Sequence, residues 1–240
     1  EQGMRYREIL EGFNPAMAAM KQTSLMDYSF AGSFGNQIPV RKITIGYNFG
    51  FSYKSNNEFY KDAEYGRYGL SSNPDIMDLE VREFQKGDFG VKSVLLSGLA
   101  GFAVKTRNSK YRINIMHLQN GESKAGIFDY TGSDQGSNFS GFQHNLEYSE
   151  RALTNLLIDG RTTFNTSKWD ITWKLSPTIS SISDPDARFI RYVTDNNDYR
   201  INTESGFPER IWRNLSEINL IGVVHVSKGF MFRGEKARLN

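Results

Sequence analysis

The chain contains no cysteine and only six prolines among its 240 residues. Disulfide scaffolds and thiolate metal sites are therefore excluded, while the cellular compartment stays open. No run approaches the roughly 18 apolar residues that a membrane-spanning helix needs, so a helical membrane protein is excluded too. A mean hydropathy of −0.52 describes a water-soluble average, but that average is blind to membrane strands, in which only alternate residues must be apolar. Charge of one sign is also lacking, with 29 basic against 27 acidic residues and a net of +2. A balance so even does not argue for nucleic acid, and no nucleic-acid partner is expected.

What the chain does have is strand and turn material: 17 Phe, 12 Tyr, 3 Trp and 22 Gly, beside many Ser, Asn and Thr. Apolar and polar residues alternate with period two, the mark of a strand with two unlike faces. Over residues 43–53, Ile43, Ile45, Tyr47, Phe49, Phe51 and Tyr53 share one face, and Thr44, Gly46, Asn48, Gly50 and Ser52 the other. Tyr28, Phe30 and Phe34 alternate with Asp27, Ser29 and Ser33 before a turn placed at 36–39, where Pro39 needs no ladder hydrogen bond. Further strands are expected at 89–104, 111–115, 142–164, 169–175 and 211–226, with another beginning at Arg233. Residues 1–24 read as a loop segment holding a short helix, limited by Gly12 and Pro15.

The connections alternate as well. Short links are expected near 36–41, 105–110, 165–168 and 227–233, and long ones near 55–87, 120–141 and 193–209. Tight turns at one end and long loops at the other describe an outer-membrane barrel. A soluble β-sandwich gives the same alternation but has no reason to sort its loops, and several of these strands exceed the usual 5–6 residues. The expected fold is all-β: an antiparallel up-and-down transmembrane β-barrel segment of about eight strands.

In such a barrel a Lys or Arg facing lipid at the midplane costs about 2–4 kcal/mol. Glu147, Arg151, Asp159, Arg161, Asp170, Lys174, Arg213 and Glu217 are therefore expected to face the lumen. Ile43, Ile45, Tyr47, Phe49, Phe51, Trp169 and Trp173 are expected to face lipid, the two Trp and Tyr111 at headgroup level beside short turns. The lumen-facing charges either line a substrate path or form a cross-strand ladder; opposite charges on neighbouring strands favour the ladder. In a soluble protein the same aromatics would fill a core.

The run from Phe142 to Leu153 (FQHNLEYSERAL) resembles the "QxNLxYxERxLxN" strand of TonB-dependent receptors of Bacteroidota. Trp169-Asp170-Ile171-Thr172-Trp173, Asp184-Pro185-Asp186-Ala187-Arg188-Phe189, the run from Thr203 to Arg213 and Phe232-Arg233-Gly234-Glu235-Lys236 are similar to segments that follow in that family. The resemblance is strongest over 142–240 and weaker over 25–125. It implies a place within a barrel of about 22 strands, in the outer membrane of a Gram-negative bacterium. It further implies uptake of a scarce ligand driven by the inner-membrane TonB complex, with a surface lipoprotein as a further partner. No plug and no barrel-closing aromatic terminus are read in the sequence, so residues 1–240 are expected to form part of one barrel domain.

Other chemistry has thin support. His117, His144 and His225 fall in different strands, so no metal site is expected, and no cofactor. No phosphate loop or nucleophile elbow is present. His144 and Ser149, the nearest approach to a catalytic pair, have opposite strand parity; no enzymatic activity and no catalytic residue are expected. Asp184, Asp186, Asp195 and Asp198 could offer oxygen ligands to Ca²⁺, although Asp-Pro-Asp and Asp-Asn-Asn-Asp are equally turn sequences. Three functional classes follow: a TonB-dependent importer, a passive small barrel, or a soluble β-barrel or sandwich that binds a ligand.

Overall fold

The computed structural model describes every residue except Glu1, Ser72, Pro74, Ile76, Gln135, Gly136, Ser167, Asn196, Asn197, Glu204, Ser205, Arg233, Gly234 and Asn240. Ser167 of the expected third turn, Glu204 and Ser205 of the family-like run, and Arg233 at the expected strand start therefore lie outside the described residues. A helix, α1 (Gln2–Glu11), comes first and ends at Gly12, whose N–H donates to the Glu8 carbonyl at 3.1 Å. The strands are β1 (Tyr28–Val40), β2 (Ile43–Leu70), β3 (Leu79–Lys105), β4 (Ser109–Asp134), β5 (Ser137–Phe164), β6 (Trp169–Asp195), β7 (Asp198–Ile201), β8 (Glu209–Phe232) and β9 (Glu235–Leu239).

All pairings are antiparallel, and neighbours in sequence are neighbours in space, in the order β1-β2-β3-β4-β5-β6-β8-β9. The short β7 pairs with the end of β6 that β8 does not reach. The protein is thus an all-β up-and-down meander in one sheet, and the sheet is not closed: β1 and β9 are its edges.

The long loops of the sequence reading are mostly strand. Residues 55–70 and 79–87 become the upper parts of β2 and β3, and residues 120–134 and 137–141 the paired ends of β4 and β5. Alternation fades there because each face mixes polar with aromatic residues, so the pattern is lost while the ladder continues. At 26–28 residues, β2 to β6 reach about 90 Å at 3.3–3.4 Å per residue. The first and last short turns are also displaced: of the expected 227–233 link, Ser227 to Phe232 belong to β8 and pair with β6 or β9. Asn36 to Pro39 belong to β1, with Pro39 opposite Thr44, and the chain reverses at Arg41, whose φ is 54°. Pro39 is tolerated because β1 is an edge strand with no partner on one side.

Pro177 is less expected, since it sits within a central strand. The β5–β6 ladder runs to Asn155↔Thr178 and resumes at Ile158↔Leu175, skipping the residue that has no N–H to donate. The Asn155 carboxamide bridges the gap, donating to Ser176 Oγ at 2.9 Å, Thr178 Oγ1 at 2.7 Å and the Pro177 carbonyl at 3.4 Å.

Candidate functional site

Directly opposed residues in an antiparallel ladder point to the same side, so the register assigns every strand residue to one of two faces. One face carries a continuous apolar belt. Ile45, Tyr47, Phe49 and Tyr53 of β2 face Val104, Phe102, Ala100 and Leu96 of β3. Phe102 and Ala100 face Ile113 and Ile115 of β4, which face Ile158 and Leu156 of β5. Trp169, Ile171, Trp173, Leu175 and Ile179 of β6 continue it into Val226, Val224, Leu220 and Ile218 of β8. Starting from the short turns, the belt is nine to eleven residues tall on β2, β3, β5, β6 and β8, the length of a tilted membrane strand. Ile218 is 74% exposed, Val224 71% and Phe102 48%.

At the short-turn edge the belt becomes aromatic. The Trp173 ring crosses β5 over Gly160, where an added Cβ would meet it at 2.6 Å, and reaches Tyr111 at 6.5 Å. The Lys228 ammonium lies 5.0 Å from the Trp169 ring centre. Rings with an apolar body and a polar tip, beside a cation, suit a boundary between an apolar and a wet medium.

The register puts Glu147, Arg151, Asp159, Arg161, Asp170, Lys174, Arg213 and Glu217 together on the opposite face. Most are engaged in ladder contacts. Asp159 receives Arg112 through Nε at 2.9 Å and Nη2 at 2.8 Å and lies opposite Lys174. Arg161 chelates Asp170. Arg213 donates to Asp184 at 2.8 Å, and the Ser149 hydroxyl, then Arg213, hold the Asp184 carboxyl below its ordinary range. Glu147 lies opposite Lys124, Arg151 close to Asp184, and Glu217 accepts from Asn219 at 2.7 Å. This face is not polar throughout. Leu95 and Leu99 on β3 and Leu153 and Leu157 on β5 give it an aliphatic middle, so its charge gathers at the two ends.

Sequence reasoning missed the best-connected site of all. Arg191, on the charged face, donates to Gln143 at 2.6 Å, Tyr130 at 3.1 Å and Glu83 at 2.8 Å. Its guanidinium lies 4.1 Å from the Tyr130 ring centre and 4.0 Å from that of Phe207. Gln143 and Tyr130 are buried. Next to them Phe128 meets Tyr65 edge-on at 5.5 Å and Phe89 at 6.4 Å. The partners come from β3, β4, β5 and the segment before β8; the available signal was only that Arg191 and Phe189 have the parity opposite to Ile190 and Tyr192. Arg112, likewise, was legible as the residue out of phase with Tyr111 and Ile113.

The Asp-Pro-Asp run is a β-bulge, with the register shifting between Asp184 and Ala187. The extra residue sends the two carboxylates to opposite faces. Asp184 binds Arg213, whereas Asp186 binds Arg188 at 2.9 Å and Arg210. They cannot converge on one Ca²⁺ ion, and among the described residues no group of three or more His, Cys, Asp or Glu is placed to hold a metal. His117 pairs with the Thr154 hydroxyl at 2.8 Å, and His144 and Ser149 lie on opposite faces.

Above the belt, on the same face, residues 13–22 cross the strands as a strap. Phe13 lies on Trp212 at 5.8 Å. Arg210 donates to the Asn14 carbonyl at 3.1 Å and Arg188 to that of Ala16 at 2.6 Å. The Ala19 N–H donates to His144 Nδ1 at 3.2 Å, and Lys21 pairs with Asp88. Three titratable groups here respond to acid in the same sense. Burial holds His144 below its ordinary pKa; Lys21 lowers Asp88, and Arg210 lowers Asp186, with Arg188 assisting. Each favours the strapped state above the unfolded pKa, about 6.5 for His and 3.9 for Asp, and loses that contribution as pH falls toward its folded value. The protection of residues 13–22 against hydrogen exchange, relative to the intrinsic rate at each pH, is therefore expected to fall first below about pH 6.5 and again below about pH 4. Unchanged protection from pH 8 to pH 3 would refute the assignment.

Comparison with protein-family models, with curated proteins and with solved structures finds no match.

Proposed function

We propose that this chain is part of the barrel wall of an outer-membrane receptor that imports a scarce ligand by TonB-dependent transport. One observation carries the reading: an uncovered apolar belt of membrane height, bounded by Trp and Tyr, backs onto charged cross-strand pairs. A soluble sandwich would lay a second sheet over that belt; among the described residues only the strap crosses this face, and it does so above the belt. A contiguous apolar surface of this extent is untenable in water, whereas hydrocarbon covers it without cost to the backbone, whose hydrogen bonds are made between strands.

The open sheet favours a large receptor barrel over a small passive one. In lipid every strand edge must be paired, so the free edges of β1 and β9 call for further strands. Assigning import to TonB rests on the sequence resemblance alone. It is tested in cells by ligand uptake through the full-length gene product: import should cease when tonB is deleted or the proton-motive force is collapsed. Uptake that survives both would leave a passive pore.

A further inference from the structure

We propose that the charged face, at the short-turn end, holds a binding site for a multivalent oxyanion of the phosphate type, built on Lys105 and Lys110. The inference deepens the membrane reading and rests on it, since it requires this face to meet water inside the barrel. Its first support is the distribution of charge. Residues 36–48, 101–116, 157–176 and 220–230, the short-turn end of the sheet, contain ten Lys and Arg against two Asp, a net of +8. The chain as a whole carries only +2, so the remainder is −6. Such segregation draws anions to one end of the wall.

The second support is the register. Lys105 lies directly opposite Lys110, and Lys110 directly opposite Arg161, so one row across three strands is cationic. Like charges directly opposed destabilise a sheet. Neighbouring cations resolve the conflict with acids: Arg161 takes Asp170, and Arg112, one row further, takes Asp159. Among the described residues neither Lys105 nor Lys110 has an acidic partner.

The third is space and neutral donors. Lys105, Lys110 and Arg112 border an open groove of about 690 Å³ together with Gln37, Asn48 and Asn114. Glycine lets two of these carboxamides lie over the sheet: an added Cβ at Gly101 would lie 2.0 Å from Asn48 Oδ1 and 2.7 Å from Asn114 Oδ1. Two ammonium groups and neighbouring carboxamides suit an oxyanion with several acceptor oxygens, while Arg112 stays paired with Asp159. A phosphate-type anion could be a free solute or the headgroup of a lipid at the rim.

The test uses the full-length gene product reconstituted in phosphatidylcholine vesicles, with inorganic pyrophosphate titrated by calorimetry. Saturable binding is expected, weakened at least tenfold by K105Q/K110Q. Lys105→Glu separates binding from folding. It turns the Lys–Lys pair into an ion pair, so stability should hold or rise while pyrophosphate affinity falls at least tenfold. Affinity for vesicles containing phosphatidylglycerol but not for pyrophosphate would identify the source as a headgroup, with the site retained if K105E abolishes it. No saturable binding of either, or binding indifferent to both variants, overturns the proposal and leaves an ordinary solvated row. Quenching by brominated lipid that is lost in W169F/W173F reports membrane insertion of this segment separately. Quenching without anion binding rejects this site alone; absence of quenching rejects the membrane reading beneath it.

Discussion

Ile115→Arg is expected, on the proposed membrane reading, to destabilise the protein in lipid by about 2–4 kcal/mol, whereas Met116→Arg, one residue along, should change stability by no more than about 0.5 kcal/mol. Ile115 lies mid-belt, in a register row with Phe49, Ala100 and Leu156, and its side chain is 46% exposed. In hydrocarbon a guanidinium there has no water and no acid to meet. Met116 projects from the same strand to the other face, where it borders an open groove with Leu118 and Ser97, and a long cation can reach solvent. Urea unfolding of the full-length gene product from phosphatidylcholine vesicles measures both. Equal costs would mean that the faces do not meet different media, and a larger cost at Met116 would invert the proposed inside and outside.

The other large effect is expected at Arg191. Its side chain is 13% exposed and that of Glu83 16%, and it donates to three residues from three strands. Removing one partner of a largely buried ion pair costs about 3–5 kcal/mol, because the other charge is left without compensation. Arg191→Met should cost about 3 kcal/mol on that basis. R191M combined with E83Q should recover part of the loss, since the stranded carboxylate is removed with its partner. Hydrogen exchange at the ends of β3, β4 and β5 beyond the belt should rise in the single variant, while the belt stays protected. A neutral Arg191→Met substitution, or a double variant no better than the single, would show that these contacts are not coupled.

How much was legible beforehand follows the reach of each signal. Alternation over Ile43 to Tyr53 or Trp169 to Leu175 assigns a face from neighbours two residues apart, and the register puts those residues on one side. The same local signal failed over 55–87, because each face there mixes polar with aromatic residues, yet the ladder continues through them. Asp184 and Asp186 share a parity in sequence but part across the sheet, since a bulge inserts a residue that period-two counting does not see. Arg191 meets Glu83 across 108 positions, and the strap meets Arg210 across 196; separations of that order leave no local pattern.

Side-chain polarity at two-residue spacing was therefore enough to determine the existence of the strands, the two middle short turns and the division into an oily and a charged face. Strand length, the open edges, the strap and the Arg191 cluster were decided only in three dimensions. The physical reason is that backbone pairing and ion-pair choice depend on which strand lies alongside, and that is fixed by register between segments distant in the chain rather than by the residues within any one of them.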